Sequence, residues 1–434
     1  MKKFLKHAIK YIITFIVMIL LFMLCLTISS SFSSGYIKEN IKESAEILKG
    51  ETNSKEVPIL YKGIDINFDN YTDALMLNTA YSIDSTTPLY SAFVARKNYI
   101  PNETTQIIEE KPGELGFSSN YTERDQVGEL NDTVNGKVIE SFEYTRYWHG
   151  YLIIIRPLLL LFNVSTIRVI FVIMFIILAI ILLYYINKKI NLITAIIFLI
   201  GLIWIEYFYI GISLQGAFVF FIMMVSSILL LTRFEKIKSI PFMFFIIGML
   251  TNFFDFLTVP ILTFGFPLIL YLLLSREKSL KKNFINILLI ALAWGIGYAL
   301  TWISKWLLTY LIFNKNLFET IWQQIVYRSV GGEDIGYADV LLSNLSYVLG
   351  GILLEILAIF VFVTLNSKKL KIHFEKKSIL YLLISLVPFI WYLVLENHSY
   401  YHSLFTYRNL LLTIIGVSIF ILNIVYNSEK EEKS

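Results

Sequence analysis

Residues 8–30 read AIKYIITFIVMILLFMLCLTISS, and whether this run is retained or cleaved decides how the whole chain is read. Its length meets the ~20 residues that an α-helix needs to cross a hydrocarbon core. Lys2, Lys3, Lys6 and Lys10 give it the leading charge of a secretory signal peptide. Its apolar core, however, exceeds the ~7–15 residues of such a peptide. The following TISSSFSSG (27–35) offers no A-x-A cleavage site. The run reads as a retained anchor with the N-terminus on the cytoplasmic side.

Runs of the same character recur at 165–186, 191–209, 214–232, 240–256, 260–275, 283–303, 341–365, 378–395 and 410–426, giving ten expected spans. Glu206 and the GISLQG turn interrupt the pair between 191 and 232. The whole composition agrees. Only 16% of residues are charged and 56% are hydrophobic, with a mean hydropathy of +0.65, against about 25% charged in soluble domains. A soluble enzyme is excluded, and a net charge of +4 is too small to indicate nucleic acid. The one cysteine, Cys25, lies inside the first run, so neither an intramolecular disulfide nor a cysteine metal site forms. The expected fold class is an all-α integral membrane protein of about ten transmembrane helices.

Lysine and arginine set the orientation. With the N-terminus inside, the cytoplasmic connections fall at 187–189, 233–238, 276–282, 368–377 and beyond Tyr426, and each holds basic residues, as the positive-inside rule requires. The segment after the first span is different. Residues 32–145 hold 19 acidic and 10 basic side chains, a net of −9, whereas the remainder of the chain carries +13. The expected plan is a first span within 1–31, an external loop over 32–164, a polytopic bundle over 165–426 with a second external loop at 304–340, and a cytoplasmic tail at 427–434. The bias towards Ile, Lys, Asn and Phe suits an AT-rich bacterial genome, hence a plasma membrane. The sequons at Asn70 and Asn120 mean little in that setting.

Within the first loop, Tyr36 to Leu48 and Asp73 to Tyr81 have helical periodicity, and 98–137 reads as an irregular excursion. The stretch 151–163 is too short to span. With Arg156-Pro157 it reads as an interfacial or re-entrant piece. A further amphipathic helix is expected from Lys305 to Phe313.

Ionisable residues gather on the external side, where several separate elements contribute them. In DNYTD (69–73), Asp69 or Asp73 can act as general base or help hold a divalent cation. The plainer alternative is Thr72 as helix N-cap and Asp73 as a first-turn acid. Arg146 and His149 in RYWHGY, with Arg156, can grip a phosphate while aromatics pack on sugar or lipid; an aromatic belt with snorkelling arginine fits equally. Asp255, in NFFDFLTVP, needs either a cavity or a partner such as Thr258. Arg328 precedes a glycine pair and Glu333-Asp334, a substrate-gripping loop or an ordinary turn. His398 and His402 stand four residues apart, one face of a helix, but no third ligand supports zinc. With Arg408 they suit a phosphate better. Asp65 and Glu206 add acids to the same side. Glu355, in the middle of GGILLEILAIF, is the strongest argument for a transporter.

One anchor, a large acidic loop holding Asp69 and Asp73, the interfacial YWHGYLIIIRPLL and then many spans together resemble the GT-C superfamily of polytopic glycosyltransferases. Protein mannosyltransferases and aminoarabinose transferases belong to it. The resemblance covers the plan of most of the chain; the family's adjacent loop acids are here separated by three residues. It implies transfer of a sugar from a polyprenyl-phosphate carrier to a cell-envelope acceptor, on the external face. It further implies that a loop acid, Asp73 ahead of Asp69, activates the acceptor. Arg146, His149, Arg156, Asp255, Arg328, His398, His402 and Arg408 supply the substrate-binding set. The competing readings are a transporter or flippase, for which no inverted repeat is visible, and a non-catalytic partner in an envelope-assembly complex.

Overall fold

The computed structural model describes residues 2–54, 69–99, 125–137, 140–329, 335–351 and 374–426. Asp65, the Asn120 sequon, Glu333, Asp334, Glu355, most of the expected 341–365 span and the 427–434 tail lie outside them. Among the described residues six helical stretches are long and apolar enough to cross a membrane: Ala8–Ser30, Val164–Lys189, Leu214–Lys236, Leu280–Phe313, Lys376–Val394 and Ser403–Ile424. Leu192–Trp204, Ile240–Phe254 and Leu262–Leu274 are apolar but shorter. The chain is thus an all-α, multi-pass membrane protein. Nine of the ten expected runs coincide with these apolar helices, and three of them are too short to reach ~30 Å at 1.5 Å per residue.

The spans carry apolar residues all round, as a helix facing lipid on one side and protein on the other requires. Along the first helix Ile9, Ile13, Ile16, Leu20 and Leu24 are exposed, whereas Phe22 and Leu26 are buried. Glycine sets the closest crossing. A Cβ on Gly248 would lie 2.1 Å from the Trp294 carbonyl oxygen, and one on Gly297 would lie 2.2 Å from that of Phe245. Ile240–Phe254 and Leu280–Phe313 therefore meet backbone to backbone, as small residues allow in membranes.

The 34-residue helix Leu280–Phe313 corrects one expectation. At about 51 Å it overshoots the hydrocarbon core, so residues 304–313 continue a span and form no separate helix. Lys305, expected on a polar face, is fully buried. Its Nζ donates to the Phe93 carbonyl at 2.5 Å and sits 4.2 Å from the Phe93 ring.

Between the first two spanning helices lie Lys38–Ser54, Asn70–Tyr81, Pro88–Val94 and Gln126–Val134. The two helices expected there are present with longer bounds. Strands β1 (Arg96–Tyr99) and β2 (Glu140–Glu143) pair antiparallel, Arg96 opposite Glu143. Buried Lys97 on β1 donates to Gln126 at 2.7 Å and pairs with Glu129 at 2.6 Å, fixing the strand pair to Gln126–Val134. We call the end of the bundle that carries these elements the loop end.

Arg156 joins the loop-end elements to the first span. It is fully buried. Nε donates to Ala80 O at 2.9 Å, Nη1 to Ser29 O, and Nη2 to Phe32 O and Ser34 Oγ, both at 3.1 Å. A guanidinium at the C-terminal end of a helix satisfies orphan carbonyls and faces the negative end of the helix dipole. Neither snorkelling nor a phosphate grip is left for Arg156, because four of its five donors are spent on protein oxygens.

Candidate functional site

The ten predicted residues separate into two neighbourhoods and the lone Arg156. The first holds Asp69, Asp73 and Arg408. Asp69 is itself the N-cap of Asn70–Tyr81, its Oδ1 accepting from Thr72 N at 3.1 Å; Thr72 stands three positions past the cap. Asp73 is not an open carboxylate. It is fully buried, Oδ2 takes Arg168 Nη2 at 2.8 Å and Nε at 3.2 Å, and Oδ1 accepts Leu214 N at 2.9 Å, in the first turn of Leu214–Arg233. Arg168 also holds Glu51 at 2.9 Å and Asn70 at 3.0 Å. Three N–H groups thus engage the Asp73 carboxylate, two on Oδ2 and one on Oδ1, so the expected base sits in a buried ion pair with Arg168. Arg168 was missed in the sequence, although a lone arginine early in an apolar run was the available signal. Arg408 donates to Ile205 O at 3.1 Å and Leu404 O at 3.0 Å and stands 3.7 Å from Glu206. It does not join the histidines.

The second neighbourhood brings together Arg146, His149, Asp255, Arg328, His398 and His402. Loop 144–151 is docked onto the end of Ile240–Phe254 by Gly150, whose N donates to Phe253 O at 3.0 Å. A Cβ on Gly150 would stand 2.5 Å from that same oxygen, so only glycine permits the approach. Tyr144, Tyr147, His149 and Tyr151 then surround the Phe256 ring at 5.2–6.3 Å between centroids.

Asp255 follows the last turn of Ile240–Phe254. Its Oδ1 accepts Thr258 N at 2.9 Å and Thr258 Oγ1 at 2.6 Å, the expected Thr258 partnership. Its Oδ2 is buried with no hydrogen-bond partner. Burial, opposed by the Thr258 hydrogen bonds, pushes the carboxyl up to about 6. A buried acceptor left unpaired costs ~1–3 kcal/mol.

Arg146 is held by rings. Its guanidinium carbon lies 5.0 Å from the Tyr144 centroid and 5.8 Å from that of Tyr147. Its carbonyl accepts two indole N–H groups, from Trp302 at 2.9 Å and Trp306 at 3.1 Å. Its Nε is buried without a partner. Arg328, on Phe318–Ser329, lies 2.8 Å from His398 Nδ1 through Nη1. His398 Nε2 is 2.7 Å from Leu257 O. A carbonyl only accepts, so Nε2 carries the proton and Nδ1 accepts from the arginine. His398 is neutral, held well below its ordinary pKa by burial and then by Arg328. Leu257 sits in the left-handed region at φ 70, a strained posture for leucine, and its carbonyl is thereby offered to His398.

Tyr147 ties the set together. Its phenol lies within the fields of Arg328, Arg146 and Asp255. Tyr298, on the long helix, feels Asp255, Tyr147 and Arg328 and lies beside Asn252. Tyr147, Tyr298 and Asn252 carried no signal in the sequence, where aromatics and amides are ordinary membrane-end residues. His149 donates Nε2–H to Tyr144 O at 2.6 Å, leaves Nδ1 buried and unpaired, and is pushed down to about 3 by burial. His402 is exposed, 4.7 Å from His398 and stacked on Phe405 at 5.1 Å between centroids.

The i, i+4 histidines do not form a metal site, because both His398 nitrogens are used in hydrogen bonds. Among the described residues no three His, Cys, Asp or Glu side chains gather to hold a metal ion. The divalent cation expected near Asp69 and Asp73 finds one carboxylate spent on Arg168 and Leu214 and the other capping a helix. Arg146 and Arg328 face no carboxylate within salt-bridge distance among the described residues, whereas Arg168 and Arg408 do. Two uncompensated guanidiniums and one underbonded carboxylate, grouped around Tyr147, suit an anionic ligand that also presents a hydroxyl. No family model, curated protein or solved structure matches this chain.

Proposed function

We propose that the chain is a membrane glycosyltransferase of GT-C type, with about ten spans and the loop end on the external face of a bacterial plasma membrane. It moves a sugar from a polyprenyl-phosphate donor to a cell-envelope acceptor. The observation that carries this reading is the buried, unpaired Oδ2 of Asp255 in a cluster whose two arginines lack acid partners. Desolvated guanidiniums favour phosphate, and a carboxylate raised to about 6 is matched to general-base work near neutral pH.

Arg146 and Arg328 hold the donor phosphate. The acceptor hydroxyl oxygen forms a bond to the anomeric carbon as the bond from that carbon to the phosphate oxygen breaks. The hydroxyl proton passes to Asp255, and the bonding pair leaves on the polyprenyl phosphate, whose charge the two arginines take up. Direct displacement inverts the anomeric centre. Asp255 replaces Asp73 as the base, while Asp73 and Arg156 hold the loop-end helices on the bundle and Asp69 caps Asn70–Tyr81. The test is Asp255→Asn in membranes supplied with polyprenyl-phosphate-linked sugars. Loss of transfer with the fold retained supports the reading. Unchanged transfer, or movement of an intact substrate across the bilayer, refutes it.

A further inference from the structure

Helix Phe318–Ser329 follows the long span after an Asn314 turn at φ 52. It presents Phe318, Trp322 and Ile325 at i, i+4 and i+7, and they are 51%, 66% and 42% exposed. Ile321, flanking the stripe on the edge that also carries Arg328, is buried. An unpartnered apolar stripe in water is costly at ~25 cal/mol per Å². The end of the preceding span is also exposed and apolar, at Leu307, Leu311 and Ile312. Trp322 is the residue type favoured at the headgroup level. Arg328 stands three residues beyond Ile325, at the inward edge of the stripe, with its charge uncompensated by any acid among the described residues and its Nη1 on neutral His398. Asn397 Nδ2 donates to Tyr327 O at 2.8 Å, holding this end of the helix against Glu396–Tyr401.

We infer that this helix is the entry seat for a phosphate-bearing membrane lipid, with the phosphate on Arg328 and the chain along Phe318, Trp322 and Ile325. The lipid comes sideways from the leaflet and does not pass through water. Arg328 then serves both surfaces, receiving the head from the stripe and presenting it to Arg146 and Tyr147. The inference rests on the proposed donor class but not on the chemistry assigned to Asp255. Charge complementarity selects an anionic lipid over a neutral one, and the apolar stripe selects a lipid over free phosphate.

The test uses the full chain in phosphatidylcholine nanodiscs doped with polyprenyl phosphate, with retained lipid counted by native mass spectrometry. Arg328→Gln removes a charge-assisted hydrogen bond, a class worth ~1.5–3 kcal/mol, so retention falls at least about tenfold. Arg328→Lys keeps the charge and holds the lipid within a few-fold. Trp322→Ser with Ile325→Ser lowers retention of polyprenyl phosphate and leaves binding of inorganic phosphate unchanged. Arg408→Gln, outside this seat, retains lipid as wild type does. Undiminished retention in Arg328→Gln or in the double serine variant overturns the inference, as does equal affinity for inorganic phosphate. Retention is read without turnover. Failure of sugar transfer with lipid still held therefore refutes the catalytic reading alone.

Discussion

Asp73→Ala removes the carboxylate that bridges the loop-end helices to two spans. In the intact protein it takes two N–H groups of Arg168 and the amide of Leu214, and none of its side chain is exposed. Breaking a buried ion pair from one side costs about 3–5 kcal/mol. Glu51 stays on Arg168, which holds the electrostatic loss to the low end. The orphaned Leu214 amide adds ~1–3 kcal/mol. The expected total is about 4 kcal/mol, roughly a thousandfold in the ratio of docked to undocked loop helices. Hydrogen exchange reads it directly: amides in Asn70–Tyr81 and at Leu214 lose protection by about that factor, while amides within Ile240–Phe254 do not. Asp73→Leu with Arg168→Met, which removes both ends of the pair, recovers part of the loss. If Asp73→Ala exchanged like wild type and yet abolished transfer, Asp73 would be the base and the structural role given to it would be wrong.

Arg156→Gln lowers the melting temperature in detergent, and Arg156→Lys does not restore it. A compact ammonium cannot span the Ala80, Ser29 and Phe32 carbonyls that the planar fork reaches. Transfer rises with pH and is half-maximal near 6, where Asp255 ionises; a profile flat from pH 5 to 8 contradicts its role as base. His149 is held neutral with its folded pKa near 3, below the ~6.5 of the unfolded chain. Its contribution is therefore full above pH 6.5 and is lost as pH falls towards 3. The slope is about 1.4 kcal/mol per pH unit. Asp255 works in the opposite sense, gaining for the fold as pH falls from 6 towards 4. The comparison is thus wild type against His149→Asn: the variant's melting temperature falls less steeply below pH 6. Gly150→Ala drives a methyl into Phe253 O, shifts the loop that carries Arg146 and Tyr147, and reduces transfer more than it reduces stability.

The spans were legible because hydrocarbon thickness leaves a plain signature in composition. Helix ends were less so: Lys305 to Phe313 was expected as a separate amphipathic helix, and only packing reveals that the Phe93 and Trp148 rings enclose Lys305. Six of the ten site residues belong together because acids, histidines and arginines at one end of a bundle have few places to go. Asp73 and Arg156 show what stayed hidden. Sequence shows that a charge is costly in an apolar run but not which distant partner satisfies it. Arg168 lies 95 residues from Asp73, and Arg156 lies 127 from Ser29. Tyr147, Tyr298 and Asn252 gave no signal, since their significance comes only from facing Asp255 and Arg328.

The most direct measurement is transfer from a panel of polyprenyl-phosphate-linked sugars by purified protein in liposomes, comparing Asp255→Asn with Asp69→Asn. Asparagine at 255 preserves the turn that holds Thr258 while removing the proton acceptor. The account predicts a loss of at least ~10²-fold for Asp255→Asn, with the melting temperature unchanged, and near-wild-type transfer for Asp69→Asn. Full activity in Asp255→Asn with loss in Asp69→Asn would contradict it and return the chemistry to the loop.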